Sequence, residues 1–92
     1  MKAAEWIARA KAARGWESDY RAAKELGLTQ QAISRARRVR STLDYETACR
    51  VATAIGERPE AIIIDQAAER VKEPAARAAL LNAARRLCVL CK

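Results

Sequence analysis

Residues 19–38 read DYRAAKELGLTQQAISRARR, and this stretch decides the predicted fold. It contains a short helical pattern that ends at Gly27 and a second helical pattern that begins soon afterwards. Ala23, Gly27 and Ile33 stand 4, 8 and 14 positions after Asp19. That spacing allows two helices to pack at a steep angle through a tight turn. The stretch therefore predicts a helix-turn-helix.

The second helix of this motif is predicted to present a polar face outward, and that face suits the reading of DNA bases. Glutamine can form paired hydrogen bonds with adenine, and arginine can do so with guanine. The first turn of such a helix enters the major groove. The sequence therefore indicates DNA binding rather than catalysis. The predicted base contacts are Thr29, Gln30, Gln31, Ser34, Arg35 and Arg38.

A second group of residues is predicted to contact phosphates, which position a protein on DNA without specifying the base sequence. Arg37 points to another side of the helical wheel, and Arg40 lies beyond the helix. Ser41 and Thr42 precede the free N–H groups that open the next helix, and such groups bind anions well. The predicted phosphate contacts are Arg37, Arg40, Ser41, Thr42 and Lys24.

The positive charge of the chain is concentrated in the half that holds the motif. The 92 residues carry a net charge of +7, with an isoelectric point of about 9.9. Residues 1–43 contain ten Lys or Arg and four Asp or Glu, whereas residues 44–92 contain eight and seven. A basic face can simply be solvated, but its coincidence with the motif favours a protein that faces phosphates.

Length and composition favour one small helical protein. Phe is absent and Ala supplies much of the 51% apolar content, which suits closely packed helices and would fill a sheet poorly. No apolar stretch approaches the eighteen residues of a membrane span. Glu5, Arg9 and Lys11 argue against a signal peptide, and an amphipathic mitochondrial presequence is a weaker alternative. We therefore expect a cytoplasmic protein.

The positions of apolar and capping residues predict six helices. Glycines fit the ends of the first, second and fourth helices, Thr29 and Asp44 fit the starts of the third and fourth, and prolines fit the starts of the last two. Residues 1–72 are predicted to form the DNA-binding domain, and residues 73–92 a C-terminal helix used for packing or dimerisation. The predicted helices cover residues 2–14, 19–26, 29–39, 45–55, 59–72 and 75–90.

Over residues 3–65 the chain resembles the phage-repressor and Cro-like, or lambda-repressor-like, helix-turn-helix family. It is closer still to small phage-associated members, which continue through a helix similar to PEAIIIDQAAERVKEP. The resemblance implies an all-α fold of about five helices plus a C-terminal helix. It also implies a prokaryotic or phage-encoded dimeric repressor that binds a near-palindromic operator at the nucleoid. The residues that carry it are Ala23, Gly27, Gln30-Gln31, Ile33-Ser34, Ala48–Ala52 and Ile55-Gly56.

The chain departs from the family pattern at two places. The family often has Gln at the start of the second helix, where it contacts phosphate, and this chain has Asp19. We interpret Asp19 as a helix cap, because an anion is a poor phosphate ligand and is favoured near a helix N-terminus. Ala36 and Val39 replace a larger apolar residue and a glycine, so Val39 or Leu43 must complete the packing at the end of the third helix.

The last two helices are predicted to form a dimer interface. Leu80, Leu87 and Leu90 follow one stripe of the C-terminal helix, and Ile63 belongs to a run of three isoleucines that cannot all face one core. A dimer would bring two DNA-binding domains together and double the contacts with DNA. These four residues are therefore the predicted dimer contacts. The alternative is that the stripe packs onto its own domain.

We expect no enzyme activity, cofactor, metal or small-molecule ligand. The chain has no His, the usual general base, and it contains no glycine-rich phosphate loop. Cys88 and Cys91 form a C-x-x-C pair, but only Cys49 remains as a further thiol ligand, whereas zinc prefers four ligands. We interpret the pair as small apolar residues of the last helix, with a metal shared across a dimer as the minor alternative.

Two other classes of function compete with DNA reading. The chain could be an antitoxin-like or phage adaptor module that binds protein through helices, because a fold does not determine a function. An RNA-binding helical protein is a third hypothesis, which we place last because the major groove of RNA is too narrow for a helix to read.

Overall fold

The computed structural model describes residues 1–38 and 41–89, and within these residues it consists of α-helices without a β-strand. The all-α class predicted from the sequence is therefore confirmed. The helices are α1 (Ala3–Arg14), α2 (Asp19–Leu26), α3 (Gln30–Ala36), α4 (Tyr45–Ile55), α5 (Pro59–Arg70) and α6 (Pro74–Leu87). None of these helices combines the length and the apolar character that a membrane span requires.

The predicted N-terminal caps of α3 and α4 are confirmed, and the cap of α2 is corrected. The Thr29 hydroxyl accepts a hydrogen bond from the Ala32 N–H at the start of α3. Asp44 accepts one from the Thr47 N–H at the start of α4. The interpretation of Asp19 as the cap of α2 is wrong, because Ser18 occupies that position and its hydroxyl accepts from the Arg21 N–H.

Three predicted helices are shorter in the structure than in the sequence analysis. The helix predicted over residues 29–39 ends at Ala36, and the one predicted over residues 59–72 ends at Arg70. The helix predicted over residues 75–90 ends at Leu87. At the end of α3, the Arg38 N–H bonds to the Arg35 carbonyl three residues earlier, which tightens the last turn.

The core is built from small residues where helices cross and from a few large side chains between them. α1 packs against α4, α4 against α5, α5 against α6, and α2 against α3. Alanine at the crossings lets the backbones approach closely, which explains the high Ala content. The large buried side chains are Trp6, Ile7, Leu26, Ile33, Leu43, Val51 and Ile62, all less than 6% exposed. Burial of each aliphatic side chain contributes roughly 1.5–3 kcal/mol.

A buried polar network fixes the segment that follows α3. Gln66 on α5 accepts a hydrogen bond from the Leu43 N–H at 2.9 Å and donates one to the Met1 carbonyl at 2.8 Å. Asp65 accepts from the Trp6 indole N–H at 2.8 Å. Leu43 itself is buried in the core, as one of the two packing alternatives predicted. The other, Val39, lies outside the described residues.

The turn between α2 and α3 is held by a side chain from α4. The Arg50 guanidinium donates to the Leu26 carbonyl at 2.8 Å and to the Glu46 carboxylate at 2.6 Å. Gly27 has a left-handed backbone with φ of +69°, and a Cβ atom there would lie 1.6 Å from Arg50 Nη1. Glycine suits this position because of its left-handed backbone, and a larger residue would also have to displace the exposed end of the Arg50 side chain.

We predict that Gly27→Ala destabilises the protein more than Gly56→Ala. Gly56 has a φ of +76°, but a Cβ atom there would meet nothing within 4 Å, so the control includes only the left-handed strain of about 1–2 kcal/mol. Gly27→Ala also displaces Arg50 and its hydrogen bonds, each worth roughly 0.5–1.5 kcal/mol. Urea unfolding of both variants measures the difference, and equal losses would show that Arg50 does not constrain the turn.

Candidate nucleic-acid interface

The predicted base contacts lie together on the solvent-exposed face of α3. All six side chains are exposed, and five of them line one open hollow on the surface: Gln30, Gln31, Ser34, Arg35 and Arg38. The hollow is lined by amides, a hydroxyl and two guanidinium groups. It therefore offers several hydrogen-bond donors and a positive electrostatic field to a ligand bound there.

The opposite face of α3 explains why these side chains point outward. Ile33 and Ala36 are buried in the core, and Ala32 is half-buried. Because neighbouring positions on a helix differ by about 100°, burial of these residues turns the remaining polar positions to solvent. The Thr29 hydroxyl caps α3, so this residue combines a structural contact with its predicted role toward bases.

The predicted phosphate contacts fall in different surroundings. Lys24 is exposed on α2. Arg37, the residue at the C-terminal end of α3, forms an ion pair with Asp19. Arg40 lies outside the described residues. Of this group, Lys24 and Arg37 thus present charge at the surface of the protein.

Ser41 and Thr42, the remaining predicted phosphate contacts, are engaged within the protein. The Ser41 hydroxyl donates to the Arg35 carbonyl, which also accepts from the Arg38 N–H at the end of α3. The Thr42 hydroxyl accepts from Arg70 Nε at 2.8 Å. Both side chains therefore help to shape the segment that joins α3 to α4.

Arg70 is a residue near this face that sequence reasoning did not single out. Its guanidinium also donates to the Leu43 carbonyl at 3.0 Å and lies 5.9 Å from the centre of the Tyr45 ring. It is exposed and brings a cation from α5 to the segment that follows α3. Arg70 stands 28 positions from Thr42, so no local pattern in the sequence could have indicated the pairing.

Asp44 occupies the start of α4, where free N–H groups were predicted to bind a phosphate. Its carboxylate accepts from the Thr47 N–H at 2.7 Å. The hydrogen bond from that backbone N–H holds the pKa of Asp44 below its ordinary value of 3.8. The Asp44 carboxylate therefore occupies the positively polarised N-terminus of α4.

The predicted dimer contacts are divided between the core and the surface. Ile63 is half-buried and packs against the core, and Leu80 and Leu87 are half-buried on α6. Leu90 lies outside the described residues. α6 packs against α5, where Ala84 is buried, so one face of α6 contacts its own domain as the alternative interpretation expected.

The two cysteines among the described residues have different surroundings. Cys49 is exposed on α4 and Cys88 is buried at the end of α6, whereas Cys91 lies outside the described residues. Among the described residues, no three or more Cys, Asp or Glu side chains are grouped so that they could hold a metal ion.

Comparison of the chain with models of known protein families returned no match, and comparisons with curated proteins and with solved structures returned none either. The chemistry of α3 and its surroundings is consequently judged on the residues themselves.

The Asp44 cap predicts a pH dependence of stability. Because the pKa of Asp44 is lower in the folded protein than in the unfolded chain, its charged form stabilises the fold at neutral pH, and this contribution is lost as the pH falls below about 4. Asp44→Asn keeps a capping side chain without the charge, so we expect a loss of roughly 0.3–1 kcal/mol at pH 7 and a smaller loss at pH 2.5. Urea unfolding at both pH values measures the difference.

Thr29→Ala is the matched control, since it removes a neutral cap from a helix with no acidic residue in its first turn. Its cost should be the same at both pH values. A cost of Asp44→Asn that does not change with pH would contradict the assigned role of the carboxylate.

Proposed function

We propose that this protein is a sequence-specific DNA-binding regulator, a repressor that reads the major groove with the exposed face of α3. The observation that carries the proposal is the shared hollow of two glutamines, a serine and two arginines on that face. These side chains match the donors and acceptors that base edges present in the major groove. Their alignment on one short helix allows several of them to reach bases together.

The surroundings of α3 support the same proposal. Residues 1–43 hold most of the excess positive charge, and such a field attracts DNA before specific contacts form. The chain order α2, turn, α3 and the buried Ala23, Leu26 and Ile33 suit a helix-turn-helix of the lambda-repressor-like type. We include this fold in the proposal, with Lys24 and Arg40 as contacts to the phosphate backbone; Ser41 and Thr42, which bond to Arg35 and Arg70, shape the segment between α3 and α4 instead.

We further propose that two copies bind one near-palindromic operator. α3 is only seven residues long and buries Ile33 and Ala36 in its own core. A dimer would double the contacts with DNA and impose a fixed spacing on the two half-sites. The half-buried Leu80 and Leu87 of α6, together with Ile63 and Leu90, are the proposed contacts between the copies. The partial exposure of Ile63, Leu80 and Leu87 leaves apolar surface available to a second chain.

We predict that Arg35→Gln with Arg38→Gln weakens binding to mixed-sequence duplex DNA by about tenfold or more, since hydrogen bonds to charged groups contribute about 1.5–3 kcal/mol each. Fluorescence anisotropy at two salt concentrations measures the affinity. The control is Arg85→Gln with Arg86→Gln, which removes the same charge from exposed positions on α6 and should change the affinity much less.

Two results would contradict the proposal. Absence of wild-type binding at low salt would favour the adaptor hypothesis, because DNA binding by a basic face is strongest there. Equal losses for the two double variants would show that net charge, rather than the face of α3, accounts for binding.

A further inference from the structure

Asp19 holds two cations at the place where α1, α2 and α3 meet. Its carboxylate accepts from Lys11 Nζ of α1 at 2.8 Å and from the Arg37 guanidinium at the end of α3. Ala4, Ile7 and Ala8 line the same small hollow. The acid is thus part of a charged cluster beside the predicted base contacts.

Arg37 is positioned where it could instead reach DNA. It directly precedes Arg38, one of the arginines in the hollow of α3, and its side chain is 62% exposed. The Asp19 carboxylate is less exposed, at 32%, and a phosphate of the DNA backbone would have to compete with it for Arg37.

We infer that Asp19 withholds Arg37 from the phosphate backbone and so limits the affinity of the protein for DNA of any sequence. The inference rests on the proposed function and deepens it. Contacts to phosphate strengthen binding to every sequence, whereas contacts to bases discriminate among sequences. By keeping one guanidinium bound within the protein, Asp19 removes a contact that would add equally to all sequences and leaves discrimination to Gln30, Gln31 and the arginines of the hollow.

The test compares Asp19→Asn with Glu25→Gln on mixed-sequence duplex DNA over a series of salt concentrations. Glu25 lies on the same helix and pairs with Arg21 at 3.3 Å, so both variants remove one negative charge from α2. Released Arg37 should neutralise one more phosphate in the Asp19 variant. We expect its plot of log affinity against log salt to steepen by about 0.9, the value for one phosphate, and the Glu25 variant to change much less.

Arg37→Gln makes the test independent of how Asp19→Asn folds. In the otherwise wild-type protein it should leave the salt slope nearly unchanged, because Arg37 is already held by Asp19. Combined with Asp19→Asn, it should remove the additional slope. Circular dichroism of each variant confirms that the helices are retained.

The outcomes separate this inference from the function on which it rests. Wild-type binding with equal slopes for the Asp19 and Glu25 variants would overturn the inference alone. A slope reduced by about 0.9 in Arg37→Gln would also overturn it, since Arg37 would then contact phosphate in the wild-type protein. No wild-type binding at low salt would overturn both the proposed function and the inference.

Discussion

The turn between α2 and α3 is closed by Arg50 of α4, whose guanidinium lies against Gly27. The guanidinium lies where any side chain at this position would begin, and it binds the last carbonyl of α2 at Leu26. Arg50 of α4 thereby satisfies the last carbonyl of α2. It also fills the space beside the turn into α3. Since α4 also packs against α1 and α5, the turn is tied to the centre of the protein.

The short length of α3 makes such support necessary. A seven-residue helix is not stable by itself, because helix nucleation is costly. Here Ile33 and Ala36 are held in the core, Thr29 caps the first turn, and Asp19 binds Arg37 at the last turn. Contacts at both ends and on one face hold the helix in place. The polar face is consequently presented on a fixed element, as selective recognition requires.

Local signals in the sequence were sufficient to predict most of the helix starts and ends. Thr29 and Asp44 accept hydrogen bonds where caps were expected, and Pro59 and Pro74 open α5 and α6. Each signal depends on a residue and its near neighbours along the chain. The exposed face of α3 was predictable for the same reason, since the period of Ile33 and Ala36 determines which positions face solvent.

The contacts that complete the candidate site were not predictable in this way. Arg50 reaches Leu26 across 24 positions, Gln66 reaches Leu43 across 23, and Arg70 reaches Thr42 across 28. Such pairs depend on how helices pack, which the order of residues does not reveal. Asp19 was mistaken for a cap because Ser18 and Asp19 are both good capping residues, and only the packed α1 and α3 bring Lys11 and Arg37 to its carboxylate.

The central claim, that the exposed face of α3 reads base sequence, is tested most directly by selecting duplexes from a random DNA pool. The wild-type protein should enrich a defined sequence with two related half-sites about one helical turn apart. A variant with Gln30→Ala and Gln31→Ala should lose the base preference at particular positions while still binding DNA weakly. Enrichment of no sequence by the wild-type protein, or of the same sequence by both proteins, would contradict the account.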